Sequence, residues 1–357
     1  MKKLLLLFVA LVAGVMSAYA QNELQCATLQ HGEDMTVYIG IGGFASAYEA
    51  AVDGDVITLS AGEFSLPANG YIYKAISIYG AGFEDNEETS TQVTKLGRMF
   101  ITLVSDVYGY NSLNLTGLHL EGIYFSDNIE IRGNNNAIEK LKDFTLKKCY
   151  VSGTIYNSID TIENAVIDQC VLMGNGLHDG YSAGESDWKV VKSMLFTHSY
   201  ITGIIGGYNS ELSFIWVDHC ISKSEYAMNN QGKKIVWTNS LLLGEPHSGS
   251  YAPAGSLSVV KNCIIWKNQF DGSVTLENNY IVPLLSDIFA DEASNAYSPT
   301  RTFELLQPDT WVGTDGTQVG LHGTTGWSKV PGIPVVKNLQ LNVDGSTLNV
   351  TYEAEAR

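Results

Sequence analysis

The stretch IWVDHCISKS, from Ile215 to Ser224, is one copy of a short pattern that recurs along the chain. Further copies start at Phe144, Ala165, Met194, Ile235, Ser258 and Val274, and a weaker copy starts at Gly117. The sixth residues of these copies are spaced 16 to 29 residues apart: Gly122, Cys149, Cys170, Ser199, Cys220, Ser240, Cys263 and Asn279. Such a period is typical of a solenoid, in which each coil buries its apolar face only against neighbouring coils.

The alternation within each copy assigns its residues to the two faces of a strand. The first and third residues are apolar, and we expect them to point into the core: Phe144 and Leu146, Ile167, Met194 and Phe196, Ile215 and Val217, Ile235 and Trp237, Val260, Val274 and Leu276. The fourth residues should point outward. Stacking of successive coils about 5 Å apart then places Lys147 beside Asp168 and Lys261 beside Glu277, which predicts surface ion pairs.

The fifth residue of each copy forms a corner of the coil. Asn239, Asn262 and Asn278 occupy this corner on three successive coils, where we expect their amides to hydrogen-bond along the column. His198 and His219 occupy it on the two coils before. The Asp218-His219 pair is therefore predicted to be a rung of the scaffold. A transition metal held by the two histidines is an alternative that this column does not require, and we predict no metal site.

Four of the five cysteines, Cys149, Cys170, Cys220 and Cys263, occupy the small sixth position of the copies. That position should be interior, where a free thiol behaves as a small apolar group. An odd number of cysteines does not suit a complete disulfide framework. We therefore predict a column of packed, unbridged thiols.

The two ends of the chain differ from the repeats. Residues 1–20 have the basic start, apolar run and Ala-Tyr-Ala ending of a secretory signal, so we expect an exported protein, located in the periplasm or at the cell surface. The β-solenoid domain should span residues 21–335. FASAYEAAV, from Phe44, predicts a short helix over the open end of the solenoid. The Asp344-Gly345 turn predicts a β-hairpin appendage over residues 336–357.

Charge and hydropathy exclude some partners. The formal net charge is −17, which should repel nucleic acid, and no later apolar run is long enough to cross a bilayer. No motif demands a cofactor. Ca²⁺ is an open alternative, because the acidic loop FEDNEETS, from Phe83 to Ser90, offers oxygen ligands. The oligomeric state stays open.

An insertion between two copies, from Gly174 to Lys189, holds most of the candidate ligand-binding residues. Insertions on a solenoid form loops over one face, which is often the binding face. Aromatic rings there suit stacking on sugars, and His178 and the acidic residues suit hydroxyl groups. The candidates in the insertion are Tyr181, Trp188, Asp179, Glu185 and Asp187, and those on the coils are Trp216, Asp218, His198 and His219. We accordingly expect a glycan or polysaccharide as the partner.

Several further motifs support a family resemblance. They are DGDVITLSAGEF from Asp53, ISIYGAG from Ile76, LEGIYF from Leu120, the coil repeats and DGTQVGLHG from Asp315. On these motifs the chain, from about Val37 to Val330, resembles exported β-helix proteins of the pectin-lyase-like superfamily, and more narrowly a bacterial group with no defined activity. The resemblance implies an all-β fold, a right-handed parallel β-helix of about ten coils, but no activity, because fold does not determine function.

WVDHC, from Trp216 to Cys220, also resembles a segment that lies near the catalytic centre of pectate lyases. Those enzymes use Ca²⁺ and an arginine base, whereas no arginine lies between Cys149 and Pro283 in this chain. The resemblance leaves open a lysine base, for which the candidates are Lys147, Lys189 and Lys261. An inverting glycosidase pair formed by Asp168 and Asp218 is also open.

The sequence assigns no catalytic residue, and whether the protein is an enzyme stays open. The expectation that fits the residues best is a secreted, non-catalytic β-helix scaffold that binds glycans or acts at the cell surface. One alternative is a polysaccharide lyase or glycoside hydrolase with an unrecognised site. A structural adhesin, which would use the long flat faces for protein contacts, is the other alternative.

Overall fold

The structure, a computed structural model, describes residues 25–85, 92–105, 110–111, 114–133, 139–179, 190–206, 213–224, 234–244, 258–266, 274–324, 326–332, 335–344 and 347–355. Within these ranges the chain is mostly strand. The one α-helix among them is Gly43–Ala50, and short 3₁₀ turns cover Ala68–Gly70 and Leu285–Asp287. None of these helical segments is long and apolar enough to cross a membrane.

The longest sheet, sheet 1, contains twelve strands within the described ranges. In spatial order they are Asp34–Ile39, Cys26–His31, Val56–Leu59, Ser77–Tyr79, His119–Glu121, Thr145–Lys147, Ala165–Asp168, Met194–Thr197, Phe214–Asp218, Lys234–Thr238, Val259–Lys261 and Thr275–Glu277. The strand Cys26–His31 pairs antiparallel with both of its neighbours, and the later strands are parallel. The helix Gly43–Ala50 lies beside the first strands and buries Phe44 and Tyr48 in the core.

Three further parallel sheets run beside sheet 1, with ten, six and four strands within the described ranges. Sheet 2 contains Gly62–Glu63, Thr94–Leu96, Tyr124–Phe125, Tyr150–Val151, Val171–Leu172, Tyr200–Ile201, Ile221–Ser222, Leu241–Leu242, Ile264–Ile265 and Tyr280–Ile281. Sheet 3 contains Tyr71–Ile72, Met99–Thr102, Ile129–Arg132, Ile155–Asn157, Leu177–Asp179 and Ile205–Gly206. Sheet 4 contains Asn114–Thr116, Lys140–Lys142, Thr161–Glu163 and Val190–Val191.

The order of these strands along the chain defines the architecture. From His119 to Lys147 the chain runs through sheets 1, 2, 3 and 4 and returns to sheet 1 one strand further along. The same circuit repeats in the next two coils, as far as Thr197, and the described strands of the later coils belong to sheets 1 and 2, with Ile205–Gly206 in sheet 3. The predicted all-β class with long parallel sheets is thus confirmed, and the arrangement is consistent with a parallel β-helix. Antiparallel pairs Val104–Ser105 with Tyr110–Asn111 and Val335–Asp344 with Thr347–Glu355 lie outside the circuit.

The register of sheet 1 agrees with the predicted columns. Ile167 pairs with Leu146 and Phe196, and Val217 pairs with Phe196 and Trp237, and all of these side chains are buried. The expectation was wrong for Leu276, whose side chain is 40% exposed, because no described strand stacks on its far side. In the outward column, the predicted pairs form: Lys147 Nζ lies 3.9 Å from Asp168 and Lys261 Nζ lies 3.0 Å from Glu277.

The corner column has a backbone conformation that explains its composition. Its residues between Lys148 and Asn278 have φ between 45° and 55°: Lys148, Gln169, His198, His219, Asn239, Asn262 and Asn278. Few L-residues enter this left-handed region without strain, and asparagine tolerates it better than most. The sharp turn between sheets 1 and 2 is therefore a reason for asparagine at this corner that is independent of side-chain ladders.

The small sixth position lies in the interior, as predicted. Cys149, Cys170, Cys220 and Cys263 are completely buried, and all five cysteines of the chain are free thiols. Burial raises the pKa of Cys149 and of Cys263 to about 12, because a thiolate would lose its hydration there. The four thiols therefore act as packing groups.

After the last coil the chain folds back over the outside of sheet 2. We call residues 284–324 and 326–332 the return segment. Its apolar side chains, among them Phe289, Phe303 and Trp311, form a second core with the outward residues of sheet 2. This explains why strands such as Tyr200–Ile201 and Leu241–Leu242 are buried on both faces.

The return segment also runs along the corner column toward earlier coils. Asn262 donates to the carbonyl of Val312, Asn239 donates to Thr314, and His219 contacts Gly320. Further along, His198 contacts Gly323, Ser328 N–H donates to Gln169, and Lys148 donates to Val330. The expected amide ladder is thus corrected for Asn239 and Asn262: their amide groups bond to the return segment, and Asn239 also donates to Asp218 on the preceding coil.

Candidate functional site: an aromatic face on sheet 3

One outward column of sheet 3 carries a series of ring side chains. The register aligns Tyr71, Phe100, Glu130, Tyr156 and His178 on five successive strands. Their neighbours in the strands, such as Ile72, Ile129 and Leu177, are buried in the core, so strand alternation points the column outward. Each of these five residues is partly exposed. We call this column, together with Arg98 and Arg132, the aromatic face.

The rings of the aromatic face contact each other in pairs. The centroids of Tyr71 and Phe100 lie 5.6 Å apart at an interplanar angle of 61°, and those of Tyr156 and His178 lie 5.8 Å apart at 78°. These are the edge-to-face arrangements that aromatic quadrupoles favour. Each ring is thus held by its partner in the pair, and Glu130 lies between the two pairs in the column.

Two arginines lie in the middle of the face. The guanidinium carbon of Arg132 is 3.9 Å from the ring centroid of Phe100, and its Nε and Nη2 donate to Glu130 at 3.0 and 2.7 Å. Arg98 contacts Asp127 at 3.2 Å and Glu130 at 3.6 Å. The Glu130 side chain is 16% exposed, whereas those of Arg98 and Arg132 are 47% and 44% exposed. Both guanidinium groups therefore remain open to solvent while Glu130 fixes their position.

This arrangement suits recognition of a sugar chain. Aromatic rings offer flat apolar surface to the C–H side of a sugar, and guanidinium groups offer several fixed donors to hydroxyl or carboxylate oxygens. Five strands at a spacing of about 4.8 Å make the column roughly 19 Å long. Several consecutive sugar units fit along it.

Part of the insertion that carries the sequence candidates is a strand of sheet 3, Leu177–Asp179, at one end of this face. Within it Asp179 is in register with Asn157, and the preceding residue, His178, belongs to the aromatic face. Tyr181, Glu185, Asp187 and Trp188 lie outside the described residues.

The candidates Trp216 and Asp218 lie on a different surface, the outer face of sheet 1. Trp216 is 43% exposed, and its Nε1 donates to Thr238 at 2.7 Å. Asn239 donates to Asp218 Oδ1 at 2.9 Å, and Thr238 donates to the same oxygen. Asp218 thus belongs to a bonded group that also positions the exposed indole.

The candidates His198 and His219 are buried beneath the return segment. Their rings stack with centroids 5.4 Å apart and an interplanar angle of 2°. His219 is 0% exposed, with Nδ1 3.2 Å from the carbonyl of Gly320 and Nε2 3.0 Å from Asp315. His198 Nε2 lies 2.9 Å from Thr324. The stacked rings agree with the rung that the repeat predicts, and both imidazoles also join the return segment to the coils, a contact that the repeat does not predict.

The acidic and basic residues considered for catalysis have partners in the coils. Asp168 accepts from Gln169 at 3.0 Å, and Lys147 and Lys261 face Asp168 and Glu277, while Lys189 lies outside the described residues. In the part of the chain that the structure describes, no group of three or more His, Cys, Asp and Glu side chains is placed to hold a metal ion. The acidic loop considered for Ca²⁺ is described only as far as Asp85.

Sequence reasoning singled out His178 but not Tyr71, Phe100, Arg132 or Tyr156. A signal was present, because these residues recur at about the spacing of the coils, each beside a buried apolar residue. The strands of sheet 3 start at variable distances from the recognisable copies, however, and the register became apparent only from the folded chain.

Comparison with known protein families, with characterised proteins and with solved structures finds no match to this chain. The resemblance to the pectin-lyase-like superfamily therefore rests on the motifs in the sequence and on the parallel sheets.

Proposed function

We propose that this protein is an exported glycan-binding protein that holds a polysaccharide chain along the aromatic face. The observation that carries the proposal is the column Tyr71, Phe100, Tyr156 and His178, with exposed guanidinium groups in its middle. A binding role is favoured over catalysis because Glu130 and Asp127, the carboxylates described at this face, are both in contact with arginine.

The proposal includes the finer features of the fold. We infer a right-handed parallel β-helix of about ten coils from the pectin-lyase-like superfamily, with the helix Gly43–Ala50 covering its first coil. Removal of residues 1–20 would release the protein to the periplasm or the cell surface. We propose Tyr181 and Trp188, which follow His178 in the chain, as further binding residues.

The experiment is a binding panel of acidic and neutral polysaccharides, with and without Ca²⁺, using the chain from residue 21. Phe100→Ala and Tyr156→Ala each remove a ring from the face and should weaken binding by about tenfold, equivalent to about 1.4 kcal/mol. Trp216→Ala is the matched control, because it removes an exposed ring from sheet 1. Circular dichroism checks that each variant is folded.

The other outcomes identify the alternatives. Loss of binding in Trp216→Ala alone would place the site on sheet 1. Formation of unsaturated uronate or of new reducing ends would make the protein a lyase or a hydrolase. Absence of both binding and product across the panel would contradict the proposal and favour a protein adhesin.

A further inference from the structure

A cavity of about 450 Å³ lies against the outer face of sheet 2. Three separate parts of the chain form its walls: Phe83 to Asp85, the strands that begin at Tyr124 and Tyr150, and the return segment at Tyr297. The cavity is on a different sheet from the aromatic face, so glycan binding there does not account for it.

Four of the eight residues that line the cavity are aromatic, and their rings cluster around Tyr150. Tyr124 stacks on Tyr150 with centroids 4.8 Å apart and an interplanar angle of 13°. Phe83 and Tyr297 approach Tyr150 from the other two chain segments, at 6.3 and 6.0 Å. The faces of such rings carry negative charge density and attract cations.

Two carboxylates add negative charge to the same cavity, Glu84 and Asp85. Glu84 Oε2 accepts from Lys329 at 2.8 Å, but Oε1 is buried and has no hydrogen-bond partner within the described residues. Burial outweighs the contacts with Lys329 and raises the pKa of Glu84. Asp85 accepts one hydrogen bond, from Val93 N–H at 3.2 Å. Lys329 thus pairs with Glu84, and no cationic side chain within the described residues pairs with Asp85.

The protein already places one ammonium group beside this wall. Lys329 Nζ lies 5.3 Å from the ring centroid of Tyr297 and 5.0 Å from that of Trp327, and it also donates to the carbonyl of Pro299. The aromatic and acidic surroundings therefore stabilise an ammonium group in the folded chain. Glu84 and Tyr297, two of the groups that Lys329 contacts, also line the cavity.

We propose that this cavity binds a small organic ammonium ion. The aromatic rings attract its positive charge, and the carboxylates of Glu84 and Asp85 compensate that charge. Because Oε1 of Glu84 is itself buried, Glu84 acts through its charge and not by accepting a hydrogen bond at Oε1. The two carboxylates repel an anion. A neutral apolar molecule of the same shape gains the ring contacts but not the attraction of the carboxylates.

The test compares ligands of equal shape and different charge. Calorimetric titration of the chain with cyclohexylammonium should give a Kd in the millimolar range, and cyclohexanol should bind at least about tenfold more weakly. Cyclohexanecarboxylate should not bind. Two results would overturn the proposal: comparable affinity for cyclohexanol and cyclohexylammonium, or a Kd for cyclohexylammonium above about 50 mM.

Variants connect binding to the cavity. Glu84→Gln should weaken cyclohexylammonium binding at least about tenfold. Glu277→Gln removes the same charge at a side chain that is 45% exposed and pairs with Lys261, so it should leave binding unchanged. If Glu84→Gln is unfolded by circular dichroism, Asp85→Asn replaces it, with a severalfold loss expected. A folded cavity variant that binds as well as Glu277→Gln would show that the ligand sits elsewhere.

Discussion

The contact between Gly323 and His219 offers a direct test of how the return segment is held. A Cβ at position 323 would lie 2.1 Å from both Cε1 and Nδ1 of His219 and 2.5 Å from the carbonyl oxygen of Gln318. Carbon atoms in contact prefer separations of about 3.5–4.0 Å. To restore a separation of about 3.5 Å in Gly323→Ala, either the ring or the backbone must move by more than about 1 Å.

Neither group moves easily. His219 is completely buried, and its two ring nitrogens are fixed by Gly320 and Asp315. We therefore expect Gly323→Ala to lower the free energy of unfolding by about 1–3 kcal/mol, the usual cost of overpacking. Backbone strain does not enter, since Gly323 is not among the residues with positive φ.

Urea unfolding followed by tryptophan fluorescence measures the change. Gly97→Ala is the matched control, because nothing lies within 4 Å of its added Cβ and its φ is not positive, so its free energy should change by less than about 1 kcal/mol. His219→Ala removes the ring that clashes. The double variant should therefore lose less stability than the sum of the losses in the two single variants, with a coupling free energy of about 1–3 kcal/mol.

If Gly323→Ala is as stable as Gly97→Ala, the ring of His219 does leave room for the added Cβ, which contradicts the prediction. Strict additivity of the free-energy changes in Gly323→Ala and His219→Ala would also contradict it, because the destabilisation would then arise from something other than the contact with the buried ring.

Three further predictions concern stability and thiol chemistry. Asp291→Asn should cost about 3 kcal/mol in urea unfolding, because Arg301 is 3% exposed and Asp291 accepts from its Nε and Nη2. Burial alone would raise the pKa of Asp291, but the bonds from Arg301 and Phe303 lower it overall. The contribution of this carboxylate to the free energy of unfolding is therefore fully present above the unfolded pKa of about 4 and is lost as pH falls through the folded pKa. The free energies of unfolding of the parent and of Asp291→Asn should accordingly converge in acid. A maleimide should label Cys26 in the native protein and all five cysteines in urea, since the other four thiols are buried and their pKa values are raised; native labelling of Cys170 would contradict this. Trp237→Ala should cost about 3–5 kcal/mol, whereas Trp237→Phe should cost far less, because the buried Nε1 of Trp237 has no partner in the described residues; equal losses in thermal melts would refute this.

The columns of sheet 1 could be read from the repeat because stacking in a solenoid is local. Each residue meets the equivalent residue of the next coil, so aligning the copies is equivalent to finding the neighbours. The burial of Phe196 and Trp237, the pair Lys261–Glu277 and the stacked rings of His198 and His219 all follow from that alignment.

Other features depended on segments that have no period. The return segment contains no copy of the repeat, so its sequence does not indicate that it crosses the corner column or that it supplies the partners of Asn239 and Asn262. The candidate site could not be predicted from the repeat either, because the strands of sheet 3 begin at irregular distances from the copies. Phe100 and Tyr156 come into one column, on either side of Glu130, only when the coils stack.

The sequence by itself thus determined the solenoid, its inward and outward columns, and the position of its corners, because these depend on alternation within a strand and on one repeated contact. The tertiary structure alone decided where the return segment docks, which rings form the aromatic face and how Phe83, Tyr150 and Tyr297 enclose a cavity. These features bring together residues that are distant in the chain. They depend on how well two surfaces fit each other, and a repeat in the sequence does not show that fit.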